Sequence, residues 1–120
     1  MSTGLVLFCH GGRDARWREP FDRLRAMIEQ RFAGPVELAF LESMSPDLNG
    51  ACMALVEREA ESIVVVPLFL GTGGHLRRDL PPLIAAAQAN VGVAVTAVMA
   101  AGEDDSVLTA IADYCLQAIR

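Results

Sequence analysis

Lysine is missing from this chain, and all ten basic residues are arginine. Without lysine no G-x-x-x-x-G-K-[ST] loop can be written, which excludes a P-loop nucleotide site. No G-x-G-x-x-G follows the first apolar run, where only Gly11-Gly12 stands, and no G-x-S-x-G elbow offers a serine nucleophile. A receiver-type phosphoacceptor would need Asp at the end of the third apolar run, where Leu68-Phe69-Leu70 stands. Cysteine is scarce and scattered: Cys9, Cys52 and Cys115 form no C-x-x-C pair. That argues against a disulfide framework and a zinc ribbon, and casts all three as small buried hydrophobes. Long apolar runs are also lacking. The longest, residues 63–70, has eight members and includes Pro67, whereas a membrane span needs about 20. The first residues carry no basic leader region. These features lead us to expect a cytoplasmic protein with no membrane partner. A net charge of −5 argues against a nucleic-acid partner.

What is present reads as an alternation of four strands and four helices, with no internal repeat. Residues 4–9 form an uninterrupted apolar run, as in a strand covered on both faces. Phe21, Leu24, Ile28 and Phe32 then recur at helical spacing, with Pro20 in the first turn of the regular part and Gly34-Pro35 ending it. A second strand is expected over residues 36–41. Ser45 as N-cap and Pro46 at the first position predict a helix striped by Leu48, Cys52 and Leu55. Residues 62–69 give a third strand. A proline-bearing helix starts between Gly74 and Leu80, a fourth strand covers residues 93–99, and Val107, Ile111, Cys115 and Ile119 stripe a last helix. Strict alternation with such crossovers implies parallel strands and right-handed connections. The expected fold is therefore α/β, a three-layer α/β/α sandwich in one domain (residues 1–120), with a four-stranded parallel sheet ordered 2-1-3-4.

That order puts the carboxyl ends of the strands on one rim, where ligands bind at the switch point between strands 1 and 3. The only two histidines fall there: His10 ends strand 1 and His75 follows strand 3, behind Gly71-Thr72-Gly73-Gly74. The glycines suggest a turn too tight for side chains. Glu42 ends strand 2. Two imidazoles and a carboxylate suit a divalent transition metal, and so few protein ligands leave positions open for transfer or catalysis. Half of the arginines (Arg13, Arg16, Arg18, Arg77 and Arg78) flank the two histidine turns, which points to an anionic ligand. Cys9 adjoins His10, but neighbours on a strand point to opposite faces, so a thiol–imidazole pair is not expected.

His10-Gly11-Gly12-Arg13-Asp14, Phe40-Leu41-Glu42, Pro46-Asp47-Leu48, residues 66–71, Gly74-His75 and Asp79-Leu80-Pro81 occur in the order found in a known family. In this set of blocks the chain resembles the short sirohydrochlorin cobaltochelatases, relatives of ferrochelatase. One departure is Gly12, where the family usually has Ser. The resemblance implies a ferrochelatase-like fold and insertion of a divalent metal into a carboxylate-rich tetrapyrrole. The metal would be Co2+ first, with Ni2+ or Fe2+ as alternatives, and it enters as substrate with no tightly bound cofactor. It also implies that His10 and His75 bind the metal, and that short members form a homodimer with the cavity between sheet ends. Within this picture Glu42 orients the metal or accepts a proton, and Arg13, Gly74, Arg77 and Arg78 meet the macrocycle. Ligand histidines must be deprotonated, so metal loading is expected to fail below about pH 6. The alternative is a non-catalytic metal or tetrapyrrole carrier using the same two histidines.

Overall fold

The computed structural model describes residues 2–71 and 73–120, with His75 described in its backbone alone. Four strands, β1 (Thr3–Cys9), β2 (Val36–Phe40), β3 (Ser62–Pro67) and β4 (Ala94–Ala97), alternate with α1 (Glu19–Glu29), α2 (Leu48–Glu57), α3 (Gly74–Val91) and α4 (Asp105–Gln117). The strands are all parallel and ordered β2-β1-β3-β4. The expected α/β architecture and strand order are therefore observed.

β1 reads as continuous apolar sequence because both of its faces are buried. Val6 and Phe8 join Leu48, Cys52 and Leu55 of α2 on one face, together with Ile63 and Val65 of β3. Leu7 and Cys9 join Leu38 and Phe40 on the other, under Trp17, Phe21, Leu24 and Ile28. Trp17 stacks on Phe21 at 4.7 Å between centroids, so the 3-10 turn at Ala15–Arg18 closes the α1 layer over Phe40. At roughly 1.5–3 kcal/mol for each fully buried large apolar side chain, these two clusters dominate the folding energy.

Local signals explain most boundaries and correct one. Pro20 lies in the first turn of α1, where a missing N–H costs nothing. The N-cap of α2 is Asp47, not Ser45: its carboxylate accepts the Gly50 N–H at 2.8 Å, and Pro46 precedes the helix. α3 starts at the early limit, Gly74, so Pro81 and Pro82 fall inside it and interrupt its bonding ladder. β2, β3 and β4 each end before their apolar sequence does, although single ladder hydrogen bonds continue beyond them at Leu41, Leu68 and Val98.

Cys9 and Cys52 are buried, and loss of water pushes their thiols up to about 12 and about 11. Cys115, expected to be buried, is exposed on α4.

Candidate functional site

β1 delivers His10 to the rim by register. Cys9 turns into the α1-side core, and His10, the next residue, emerges with 57% of its side chain exposed. The β1–β2 ladder runs on past the strands: Leu41 N–H donates to Cys9 C=O at 2.9 Å, and Glu42 N–H donates to His10 C=O at 3.1 Å. Glu42 C=O accepts from Met44 N–H at 2.9 Å across Ser43, which adopts a left-handed φ of 66°. Gly11, at φ 95°, packs its Cα against that carbonyl, and a Cβ there would overlap it. The backbone of Glu42 is thus clamped on three sides, and its carboxylate stands 3.4 Å from His10 Nε2. On its other flank His10 meets the edge of Phe69, with centroids 6.0 Å apart.

The glycine turn after β3 corrects the sequence expectation. Gly71, Gly73 and Gly74 have no left-handed φ, and a Cβ at any of them would meet nothing. Fold sterics do not require these glycines, which leave open space above the rim. Gly74 opens α3 and His75 lies in its first turn. The imidazole of His75 lies outside the described residues, as does Thr72. Among the described residues no three metal-ligating side chains converge. What the structure brings together is the His10–Glu42 pair.

The arginines divide. Arg13 is exposed just after the first glycine pair and makes no hydrogen bond or ion pair among the described residues. Arg77 lies 3.4 Å from Glu103, a carboxylate the sequence reading did not single out, and Arg78 donates to the Gly74 carbonyl at 3.3 Å. Arg16 and Arg18 are committed within the fold, to Asp14 at 2.8 Å and to Asp22 at 3.1 Å, and Arg18 also covers the Phe40 ring. The Arg16 guanidinium holds the Asp14 carboxyl below the usual carboxylate range. Phe69 was also missed. It sat within an apolar run and carried no polar signal, although Glu103 could have been read as a rim carboxylate after strand 4. A cavity of about 240 Å³ under Arg77 and Glu103 is lined by Pro67, Leu76, Leu80, Val98 and Met99.

Comparison with known proteins identifies the family of this fold. The CbiX family model matches residues 4–118. The chain belongs to the CbiX family. Over 78 residues it is 38% identical to the sirohydrochlorin cobaltochelatase of Sulfolobus acidocaldarius, covering 65% of this chain and 63% of that one. Over 81 residues it is 37% identical to the sirohydrochlorin cobaltochelatase of Saccharolobus solfataricus, covering 68% and 62%. The chain therefore spans less than two thirds of either relative. Among solved structures, a putative cobalamin (vitamin B12) biosynthesis CbiX protein from Marinobacter aquaeolei superposes with a TM-score of 0.88 at 30% identity, covering 98% of this chain and 97% of that one. The sirohydrochlorin chelatase SirB from Bacillus subtilis subspecies spizizenii, in complex with cobalt, gives 0.81 at 25% identity, covering 98% and 51%. The CbiX chain thus carries, in 120 residues, a unit that fills about half of the SirB chain.

Proposed function

We propose that this CbiX protein inserts a divalent metal, Co2+ first among candidates, into sirohydrochlorin or a related carboxylate-rich tetrapyrrole, which makes it a lyase. The observation that carries this reading is the open His10–Glu42 pair, 3.4 Å apart on the carboxyl rim of a sheet whose family includes cobaltochelatases. Metallation exchanges two pyrrole N–H protons for one M2+. The site therefore needs a metal donor with open coordination positions and a proton acceptor nearby. A neutral imidazole supplies the first and a carboxylate the second. His10 holds the metal with His75, and Glu42 orients His10 and passes a pyrrole proton to water, which its exposure permits. Clamping at Gly11 and Met44 fixes the Glu42 backbone from which the carboxylate reaches His10, as a hydrogen-bonding partner of a ligand requires. A Cβ at Gly71, Gly73 or Gly74 would meet nothing, which supports access for a flat macrocycle, and Arg13, Arg77 and Arg78 would supply guanidinium groups to its carboxylates.

No tightly bound cofactor enters this chemistry, because metal and macrocycle are both substrates. The working form is a homodimer with two rims facing each other. Its support is that this chain covers 51% of the cobalt-bound SirB chain, which leaves the remainder to a second copy. A cytoplasmic location fits three unpaired cysteines, one of them exposed.

The test is spectroscopic. Protein is mixed with sirohydrochlorin and Co2+, and macrocycle absorbance is followed against a metal-only blank. Acceleration above the blank is expected. No acceleration with Co2+, Ni2+ or Fe2+ sinks the enzyme reading, and metal binding without turnover would leave the carrier.

A further inference from the structure

Beside the candidate site the chain has serine where its backbone favours glycine. Ser43 follows Glu42 directly and adopts a φ of 66°, in the left-handed region that is costly for any residue with a Cβ. Met44 N–H donates to Glu42 C=O at 2.9 Å across it. A bond from residue i to i+2 over a positive φ makes the rare, strained kind of γ-turn. The serine hydroxyl does not account for the choice, because Ser43 is exposed and its side chain makes no hydrogen bond among the described residues. Among those residues the one other non-glycine with positive φ is Glu59, which lies between α2 and β3 at the opposite end of the sheet.

Contacts on both sides leave this turn no relaxed alternative. Before it, Leu41 N–H and Glu42 N–H are bonded to the carbonyls of Cys9 and His10. After it, Met44 packs into the α1-side core, and Phe40 N–H donates to Pro46 C=O at 2.9 Å, which closes the loop at its base. Residues 41–45 must therefore reverse direction between fixed ends. The Glu42 carbonyl is also seated on Gly11, whose own φ is 95° and where a Cβ would overlap it. Two residues of positive φ thus flank one carbonyl, and only one of them is glycine. Backbone strain of this kind persists only where the surroundings over-determine it, and it clusters at functional sites.

We propose that Ser43 is a positioning residue, whose strained turn holds the Glu42 carboxylate at His10. Among the described residues His10 is the one side chain paired with that carboxylate, which is 61% exposed, so the backbone must aim it. The bond to His10 C=O fixes the amino side of Glu42, and the seat of its carbonyl between Gly11 and Met44 N–H fixes the other. Together they set the direction of its Cα–Cβ bond. Glycine at position 43 would sit there with less strain, but glycine takes φ of either sign with similar ease. The turn would then open part of the time and carry the carboxylate off the imidazole. Serine confines the turn to one well, at a cost in stability. This inference rests on the chelatase reading above and deepens it, by tying to the site a residue given no contact with metal or macrocycle.

Melting temperature, Co2+ affinity and metallation rate test this in Ser43→Gly, alone and combined with Glu42→Gln. Ser43→Gly is expected to melt about 2–6 °C above wild type, because the strain is released. It is nevertheless expected to bind Co2+ about 3–10-fold more weakly and to metallate about 10-fold more slowly. In the Glu42→Gln background the same substitution should cost less than about 2-fold in either quantity, as for two changes that act through one group. Ser43→Asn keeps a side chain that tolerates positive φ, and its rate should stay within about 3-fold of wild type.

Wild-type affinity and rate in Ser43→Gly overturn the proposal. An equal loss with and without Glu42→Gln also overturns it, since Ser43 would then act elsewhere. A Ser43→Gly protein that melts below wild type overturns the stored strain and the proposal with it. Absence of metallation by the wild-type protein removes the enzyme reading alone, because Co2+ affinity needs no macrocycle and still decides the role of Ser43. A wild-type protein that binds no Co2+ overturns both.

Discussion

The two halves of the sheet differ in how far one chain completes them. Around β2 and β1, helices lie on both faces, and Leu7, Cys9, Val36, Leu38 and Phe40 are at most 2% exposed. Around β3 and β4 only the α3 side is covered; β4 buries Val95 alone of its four residues. The candidate site straddles this divide. His10 and Glu42 stand on the completed half, where the backbone clamps Glu42 from three directions. His75, Arg77 and Glu103 belong to the half whose outer layer is missing. One half can therefore present its chemistry ready-made, whereas the other half depends on what covers it.

The sharpest way to break this comparison is at His10. His10→Ala is expected to lower the metallation rate by about 10³-fold, within the range for removing a catalytic group that touches the reacting centre. Thermal stability should stay within about 0.5 kcal/mol, because the side chain is largely exposed. Glu42→Gln should cost about 10–100-fold, as for a residue that orients a metal ligand. Full rate and full metal affinity in both variants would remove the completed half from the chemistry.

Packing offers the next largest effect. Phe40→Ala removes a ring that is 1% exposed and touches Trp17 and Arg18, at an expected cost of about 3–5 kcal/mol in denaturant unfolding. Thr96→Ala, on the uncovered face, should change the stability of the isolated chain by less than about 0.5 kcal/mol. Equal losses at both positions would mean that the two halves are equally packed within one chain.

The sequence revealed strand order and rim because both follow from long-range rules, alternation of elements and parallel crossovers, that individual side chains barely perturb. His10 and Glu42 were legible for the same reason: each directly follows an apolar run, and register does the rest. Three things were not. The cap of α2 could not be chosen between Ser45 and Asp47, since both are good caps and only the path of the chain through Pro46 decides. The exposure of Cys115 was hidden because a helical stripe of Val107, Ile111, Cys115 and Ile119 announces an apolar face but not what covers it. The two kinds of glycine also look alike in sequence. Gly11 is required by its left-handed φ and the Glu42 carbonyl, and Gly71 by neither.

That last distinction is testable at a smaller scale. Gly11→Ala places a Cβ against the Glu42 carbonyl at a left-handed φ, and about 1–3 kcal/mol of destabilisation is expected with a fall in activity. Gly71→Ala should leave stability within about 0.5 kcal/mol, since nothing lies near its Cα. If Gly71→Ala slows metallation without destabilising the chain, the open space over the rim is used by the macrocycle. If Gly11→Ala is silent, the clamp on Glu42 is not under strain.

The smallest expected effect lies at the start of α4, on the side the chain does not complete. The Ser106 hydroxyl and the Val107 N–H both bond to the Asp104 carboxylate, and they hold its carboxyl below the usual carboxylate range. A carboxyl lowered by folding contributes stability that is present above its unfolded pKa and lost as pH falls through its folded value. Acid should therefore loosen the first turn of α4 while β1 and β2 stay intact. The Val107 amide resonance reports this directly. Its acid titration should have a midpoint below about 3.9, the value of an unperturbed Asp, and the titration should vanish in Asp104→Ala. A midpoint at or above 3.9 would mean that the cap does not hold in solution. α4 would then lack a fixed start.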